Sequence, residues 1–158
     1  MPETMAAIAL GSNLPSVFGE PAANLLEALR RFDALGRVTA VSSFHVTAPV
    51  GYVDQPQFVN AAALLETALT PLALLRELLA IEQAMGRDRA SAPAKGPRVI
   101  DLDLLLHGAA VLQTPELVLP HPAMHERGFV LAPLAEIAPA MWHPTLRTSV
   151  AELLAKLR

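Results

Sequence analysis

The chain has 158 residues, the usual length of one domain, and can bury a core without disulfides or structural metals. It contains no cysteine, which excludes a thiol nucleophile, a cysteine-ligated zinc site and a disulfide scaffold and fits a cytoplasmic location. The formal charge of −3 argues against a protein that coats nucleic acid, and no apolar run suits a signal peptide or a membrane span. We expect one domain over residues 1–158, a monomer, with no nucleic-acid or membrane partner.

The first half of the chain alternates between strand and helix patterns. Residues 5–10 form a short apolar run that predicts a buried strand, and residues 21–35 carry apolar residues at helical spacing. Residues 38–46 and 58–66 are rich in β-branched and small residues and predict two further strands. The intervening residues 47–57 contain several turn-forming residues and predict a loop.

In the second half, Thr70 and Pro71 predict a helix start, because a capping side chain precedes proline at the first helical position. Gly86 predicts the end of that helix. The next eleven residues lack apolar periodicity and predict a loop, which residues 99–106 follow as a strong strand. The remaining predictions are short strands at 111–112 and 117–119 and helices at 129–137 and 149–157.

The predicted element order is β-α-β-β-α-β followed by a helical extension, which is typical of the ferredoxin-like sandwich. We therefore expect an α+β fold in which helices cover one face of an antiparallel sheet. The other face would then be free to carry a functional site.

Two carboxylates interrupt the apolar strand predicted over residues 99–106. Because side chains alternate along a strand, Asp101 and Asp103 are expected on one face, about 7 Å apart. The residues that alternate with them are expected on the opposite face: Arg98, Ile100, Leu102, Leu104 and Leu106. Magnesium takes one or two protein carboxylates and completes its shell with water and phosphates. The alternative is an open sheet face on which these acids pair with Arg89 or Arg127.

A basic cluster directly precedes these acids. Within residues 87–98 the only acidic residue is Asp88, and the basic residues are Arg87, Arg89, Lys95 and Arg98. Such a cluster indicates either a solvated loop or a local anion site. Carboxylates that hold magnesium, opposite arginines that clamp phosphates, meet the needs of phosphoryl transfer. The chain lacks the P-loop motif, so any phosphate site is of another kind.

Several segments, in one order along the chain, resemble the 6-hydroxymethyl-7,8-dihydropterin pyrophosphokinases. The segments are ALGSNL (9–14), VSSFHVTAPVG (41–51), DQPQFVNAA (54–62), IEQAMGRDR (81–89), GPRVIDLDLLL (96–106) and LPHPAMHERGFVLAPLAEIAP (119–139). The resemblance covers nearly the whole chain. It implies the ferredoxin-like fold and transfer of the β,γ-pyrophosphoryl group of ATP to the pterin hydroxymethyl group, with release of AMP.

The resemblance also implies the residues of the nucleotide half of the site. Asp101 and Asp103 would bind two Mg²⁺ ions, and ATP would be the co-substrate. Arg87 and Arg98 would join the two acids as catalytic residues. The ATP-binding residues would be Arg89, Arg98, Leu104, His121 and Arg127.

For the pterin half, the resemblance implies stacking by Phe58 and Phe129. Asn60 and Thr47 would read the polar edge of the ring, and backbone groups and a wall would come from Pro49, Val50 and Gly51. A flat ring with an amide edge does need aromatic faces and polar partners. On the residues alone, the two phenylalanines are equally consistent with core packing, whereas an asparagine inside a strand needs partners.

Some features depart from the family pattern or leave alternatives open. Ala94 and Lys95 stand where a basic residue and a tryptophan are usual, which bears on how the loop closes over substrates. Glu82 matches a position near the active site, but it could equally pair with Arg87 or Arg89. Two other functions stay open: a catalytically weak paralogue that binds pterin or nucleotide, and a ferredoxin-like module that binds RNA or a metabolite.

Overall fold

The protein is described by a computed structural model over residues 3–48, 54–86 and 97–157. The elements in chain order are β1 (Thr4–Ser12), α1 (Pro21–Phe32), β2 (Arg37–Val41), β3 (His45–Thr47), β4 (Phe58–Thr67), α2 (Pro71–Ala84), β5 (Asp101–His107), β6 (Leu112–Gln113), β7 (Val118–Leu119), a 3₁₀ turn (Met124–Glu126), α3 (Gly128–Ile137), β8 (Trp142–His143), β9 (Thr148–Ser149) and α4 (Val150–Lys156). Among the helices in these ranges, none has the length and apolar character needed to cross a bilayer.

The main sheet has the strand order β2-β4-β1-β5, and β3 pairs with β4 beside β2. Every pairing in it is antiparallel. An antiparallel sheet with helices packed on it confirms the predicted α+β class. The predicted start of α2 is also confirmed, because the Thr70 side chain accepts a hydrogen bond from the backbone N–H of Ala73 and Pro71 is the first helical residue.

Helices cover both faces of the sheet, so the expectation of helices on one face only is wrong. On the first face, α1 and α2 bury a large apolar cluster that includes Ile8, Leu25, Phe32, Leu74 and Leu78. On the second face, α3 and α4 bury a smaller cluster that includes Leu105, Leu131, Leu134, Val150 and Leu153. The sequence patterns predicted both late helices but not where they dock. They cover only part of the second face.

A β-bulge in the pairing of β1 with β5 changes the face that Leu106 occupies. Ala7 pairs with Leu106 and Ile8 pairs with Leu104, which leaves Leu105 as the extra residue. Beyond the bulge the alternation is reversed, so Leu105 and Leu106 both join the cluster under α3 and α4. The expectation that Leu106 shares a face with Leu102 and Leu104 is therefore wrong.

The single strand predicted over residues 38–46 is divided into β2 and β3 by a contact with α3. Between them, Glu136 accepts hydrogen bonds from the Ser43 backbone N–H at 2.6 Å, the Ser43 hydroxyl at 2.9 Å and His45 Nε2 at 2.9 Å. The Ser43 N–H therefore bonds to a side chain of α3. These bonds, with the Ser43 N–H the largest cause, lower the pKa of the Glu136 carboxyl to about 2.

The Glu136 contact predicts a defined pH dependence of stability. A carboxyl whose pKa is lowered by folding contributes stability above its ordinary pKa of 4.5, and this contribution disappears as the pH falls from about 4.5 to about 2. Thermal unfolding of Glu136→Gln should therefore occur at a lower temperature than that of the wild type at pH 7, and the difference should narrow below pH 4.5. Glu116→Gln, which removes an exposed carboxylate paired with Arg76 at 3.4 Å, is the control. A difference that does not change with pH would contradict the assignment.

Candidate functional site

A cavity of about 490 Å³ opens on the part of the second sheet face that α3 and α4 leave uncovered. It lies between β4, β1 and β5 on one side and the segment that leads into α3 on the other. It brings together most of the described residues that the sequence singled out: Thr47, Phe58, Asn60, Arg98, Asp101, Asp103, Arg127 and Phe129. Residues from both predicted half-sites thus share one space.

The floor of the cavity is set by the register of three neighbouring strands. Gly11 on β1 pairs with Asn60 on β4 and with Asp101 on β5, so these three residues form one row. In the next row Ala9 pairs with Asp103. A Cβ atom on Gly11 would lie 3.1 Å from Asn60 Oδ1, which is tighter than ordinary contact. Sequence reasoning missed Gly11 and Ala9, because only the register shows that small residues separate the polar ones.

Arg98 occupies the same cavity as the two acids, so the expectation that it points the opposite way is wrong. Strand alternation does not apply to it, because β5 begins only at Asp101. Its Nη1 donates to Asp101 Oδ2 at 3.1 Å, and these side chains are 13% and 22% exposed. The pairing of Asp101 with an arginine was anticipated, but with Arg89 or Arg127 as the partner.

Two phenylalanines line the cavity, and each carries an arginine near its ring. Arg98 Cζ lies 5.5 Å from the ring centroid of Phe58, and Arg127 Cζ lies 5.8 Å from that of Phe129. These distances are within the range of cation–π attraction. Both phenylalanines are half-buried, so their rings are partly accessible from the cavity.

Asn60 is buried with a partner from the neighbouring strand. Its Nδ2 donates to Thr47 Oγ1 at 2.5 Å, and only 7% of the residue is exposed. The register places His45 opposite Asn60 and Thr47 opposite Phe58, so the three cavity residues Thr47, Phe58 and Asn60 lie on one sheet face. This pairing supplies the partner that a strand-interior asparagine was expected to need.

His121 and Leu104, both predicted to contact ATP, do not line this cavity. Leu104 is 3% exposed within the cluster under α1 and α2. The pKa of His121 is lowered by burial and by Arg127, while Asp101 acts in the opposite direction. His121 Nδ1 accepts from the Ala123 N–H at 3.2 Å, which leaves Nε2 to carry the proton of the neutral ring.

Glu82 lies close to the two aspartates, which agrees with one of the two sequence alternatives, a position near the active site. Its Oε2 accepts from the backbone N–H of Leu102 at 2.6 Å, between the two aspartates, and the residue is 2% exposed. Because β5 lies at the edge of the sheet, this carboxylate on α2 covers part of its outer edge. The alternative partners Arg87 and Arg89 lie outside the described residues.

Other predicted residues also lie outside the described ranges: Pro49, Val50, Gly51, Ala94 and Lys95. Sequence reasoning also missed other lining residues, among them Ala48, Glu126 and Gly128. Each of these three is next to a predicted site residue in the sequence, and this proximity could have indicated them.

The two aspartates suit a hard cation that keeps open positions. Over residues 3–48, 54–86 and 97–157, no three His, Cys, Asp or Glu residues are grouped as a closed metal site would require. Asp101 and Asp103 do present two carboxylates to one cavity. Magnesium needs no more from a protein when water and phosphate oxygens supply its other ligands. The donor set therefore fits magnesium held jointly with a phosphorylated ligand.

Comparisons with known proteins give one family. Residues 7–139 match the family model described as 7,8-dihydro-6-hydroxymethylpterin-pyrophosphokinase. The chain is 46% identical over 150 residues to the 2-amino-4-hydroxy-6-hydroxymethyldihydropteridine pyrophosphokinase of Pseudomonas aeruginosa, covering 94% of this chain and 88% of that protein. It is 39% identical over 153 residues to the folic acid synthesis protein fol1 of Schizosaccharomyces pombe, covering 97% of this chain and 20% of that protein.

A solved structure gives the same fold. The wild-type HPPK-DHPS of Plasmodium falciparum superposes with a TM-score of 0.73 at 15% identity, covering 98% of this chain and 44% of that one. At that identity the likeness concerns the fold alone. The chain thus matches one part of some longer proteins and nearly the full length of the bacterial relative.

Proposed function

The chain belongs to the 7,8-dihydro-6-hydroxymethylpterin-pyrophosphokinase family, and on that premise we propose how its cavity carries out the reaction. The protein is an ATP-dependent diphosphotransferase that transfers the pyrophosphoryl group of ATP to 6-hydroxymethyl-7,8-dihydropterin, releasing AMP, in folate biosynthesis. The assignment of residues rests on one observation. A single cavity holds paired carboxylates and an arginine beside an aromatic and amide lining.

The pterin half-site is assigned to the aromatic and amide lining. Phe58 and Phe129 are partly exposed to the cavity and can stack on the faces of a flat ring. Asn60 and Thr47 are already hydrogen-bonded to each other, which holds the Asn60 amide in one orientation for reading the ring's polar edge. Pro49, Val50 and Gly51 stay predictions for the remaining wall.

The phosphate half-site is assigned to Arg98, Asp101 and Asp103. The two carboxylates would hold Mg²⁺, which when bound neutralises phosphate charge and polarises the oxygens around the transferred group. Arg98 would leave its bond with Asp101 to clamp phosphate oxygens through its planar guanidinium. Two ions, the catalytic role of Arg87, and the ATP contacts of Arg89, Leu104, His121 and Arg127 stay predictions from the resemblance.

Catalysis in this cavity is chiefly a matter of position. The pterin hydroxyl must lose its proton to solvent, and its oxygen must bond to the β-phosphorus of ATP as the bond from that phosphorus to the AMP oxygen breaks. Phe58 lies beside Arg98, and only Gly11 on β1 separates Asn60 from Asp101, so a ring bound at Phe58 and Asn60 lies close to phosphates bound at Arg98 and Asp101. Holding two reactants in this way removes much of the entropic part of the barrier.

We also propose that the topology is the ferredoxin-like one. In support, α1 joins β1 to β2 with β4 lying between them, and α2 leads from β4 to β5 with β1 lying between them. This is the split βαβ arrangement if β2 and β3 count as one strand. A single domain, a monomer, a cytoplasmic location and the lack of nucleic-acid partners stay predictions from the sequence.

The direct test is to mix the protein with the hydroxymethyl dihydropterin, ATP and Mg²⁺ and to follow AMP. Turnover would show that the protein is an active enzyme. It would exclude the alternative of a catalytically weak paralogue, to which the departures at Ala94 and Lys95 are relevant. Binding of both substrates without AMP would favour the paralogue.

Removing either carboxylate should abolish turnover without unfolding the protein. We expect Asp101→Ala and Asp103→Ala each to lower kcat by more than about 100-fold, since each removes a direct ligand and not an outer-shell contact. Electron paramagnetic resonance of Mn²⁺ with a nonhydrolysable ATP analogue should show weaker ion binding, while circular dichroism stays unchanged. The control is Asp33→Ala, an exposed acid at the end of α1. Equal activity in all three variants would overturn the metal assignment.

Replacing Arg98 by lysine should be costly although the charge is kept. A lysine has one ammonium group and cannot span phosphate oxygens as a planar guanidinium does. We expect Arg98→Lys to lower kcat by about tenfold or more in steady-state assays. Arg37→Lys, at an exposed pair with Glu66, should leave kcat unchanged. Wild-type kcat in Arg98→Lys would exclude a bidentate role.

A further inference from the structure

Asn13 lies directly after β1, where that strand passes between β4 and β5, and is 1% exposed. A buried amide loses its hydrogen bonds to water, so its donors and its acceptor need partners within the protein. The Asn13 side chain bonds through both its amide nitrogen and its oxygen, and the partners belong to two separate segments of the chain.

The first segment is the one that carries Arg98. The Arg98 backbone N–H donates to Asn13 Oδ1 at 2.8 Å, and the Asn13 backbone N–H donates to the Arg98 carbonyl at 3.0 Å. Arg98 precedes β5, so β-ladder pairing does not set its backbone position. These two bonds fix the position of the Arg98 backbone, and the Arg98 guanidinium bonds to Asp101 from there.

The second segment leads into the strand that carries Phe58. Asn13 Nδ2 donates to Gln55 Oε1 at 2.8 Å and to the Pro56 carbonyl at 3.0 Å. Phe58, two residues further on, is the first residue of β4. One buried side chain is therefore bonded to the approach to Arg98 and to the approach to Phe58.

We infer that Asn13 is a positioning residue that sets the separation between the phosphate-binding arginine and the pterin-stacking segment. The inference rests on the proposed function, which assigns Arg98 to the phosphates and Phe58 to the pterin. Asn13 does not line the cavity, so it acts through these two residues and not by touching a substrate.

The chemistry of the site calls for asparagine. Aspartate keeps an acceptor for the Arg98 N–H but loses both donors. The Gln55 amide can rotate to offer its NH₂ group, whereas the Pro56 carbonyl can only accept and would face a carboxylate oxygen. Alanine loses every side-chain bond. The two substitutions therefore separate the Arg98 side of the contact from the Pro56 side.

The test measures each ligand separately by calorimetry. Asn13→Ala and Asn13→Asp are made alone and combined with Arg98→Ala. Each protein is titrated with the hydroxymethyl dihydropterin, and separately with Mg²⁺ and a nonhydrolysable ATP analogue. A matched control is Thr67→Val, which removes the hydroxyl of a buried residue, bonded to the Leu35 carbonyl at 2.7 Å, at the end of β4 opposite Phe58.

Asn13→Ala should weaken binding of the ATP analogue about tenfold, equivalent to about 1.4 kcal/mol. In the Arg98→Ala background the same substitution should change that affinity less than about twofold, because its effect passes through Arg98. Pterin affinity should fall about fivefold in both backgrounds, because the Gln55 and Pro56 bonds are a separate route. Asn13→Asp, the second variant if Asn13→Ala does not fold, should lose pterin affinity similarly.

A tenfold loss of analogue affinity that persists in the Arg98→Ala background would overturn the inference. So would an equal loss of ligand affinity in Thr67→Val, which would mark the effect as general destabilisation. If the wild type binds neither ligand and forms no AMP, the proposed function is wrong. If the wild type is active and the Asn13 variants bind both ligands as tightly as it does, only the inference about Asn13 is wrong.

Discussion

The antiparallel register of β4, β1 and β5 is the constraint on which the site depends. It places Asn60, Gly11 and Asp101 in one row across three strands. The Asn60 amide and the Asp101 carboxylate therefore lie on either side of a residue without a side chain. A residue without a Cβ suits this place, because a Cβ at Gly11 would lie 3.1 Å from Asn60 Oδ1, which is tighter than ordinary contact. A shift of one residue in either pairing would turn one of the polar side chains to the opposite face.

The cavity exists because the second helical layer is incomplete. The helices α3 and α4 bury their own apolar cluster against part of the sheet, and the uncovered part carries the acids and the aromatic rings. The start of α3 also supplies Arg127 and Phe129, so the element that closes the core borders the site. Glu136 near the end of α3 is hydrogen-bonded to Ser43 and His45, and its lowered pKa keeps the carboxylate charged well below its ordinary pKa of 4.5.

Buried polar side chains hold the backbone where regular pairing ends. Asn13 is bonded to the Arg98 segment before β5 begins, and Glu82 is bonded to Leu102 on the outer edge of β5. Leu102 lies between the two aspartates, so these contacts surround the short stretch on which the phosphate chemistry is proposed to take place. Such bonds leave few alternative positions, because a buried amide or carboxylate without its partner is costly.

The sequence alone determined what depends on local patterns. Apolar periodicity and the Thr70–Pro71 cap predicted the main helices and strands, and motifs in a fixed order identified the family. Most described site residues then proved to share a cavity. Only the tertiary structure decided the face occupied by Arg98, the shift of Leu106 at the bulge, the covering of the second sheet face, and the partners of Asn13 and Glu82. The physical reason is that these depend on pairing and docking between segments distant in the chain, where local periodicity carries no information.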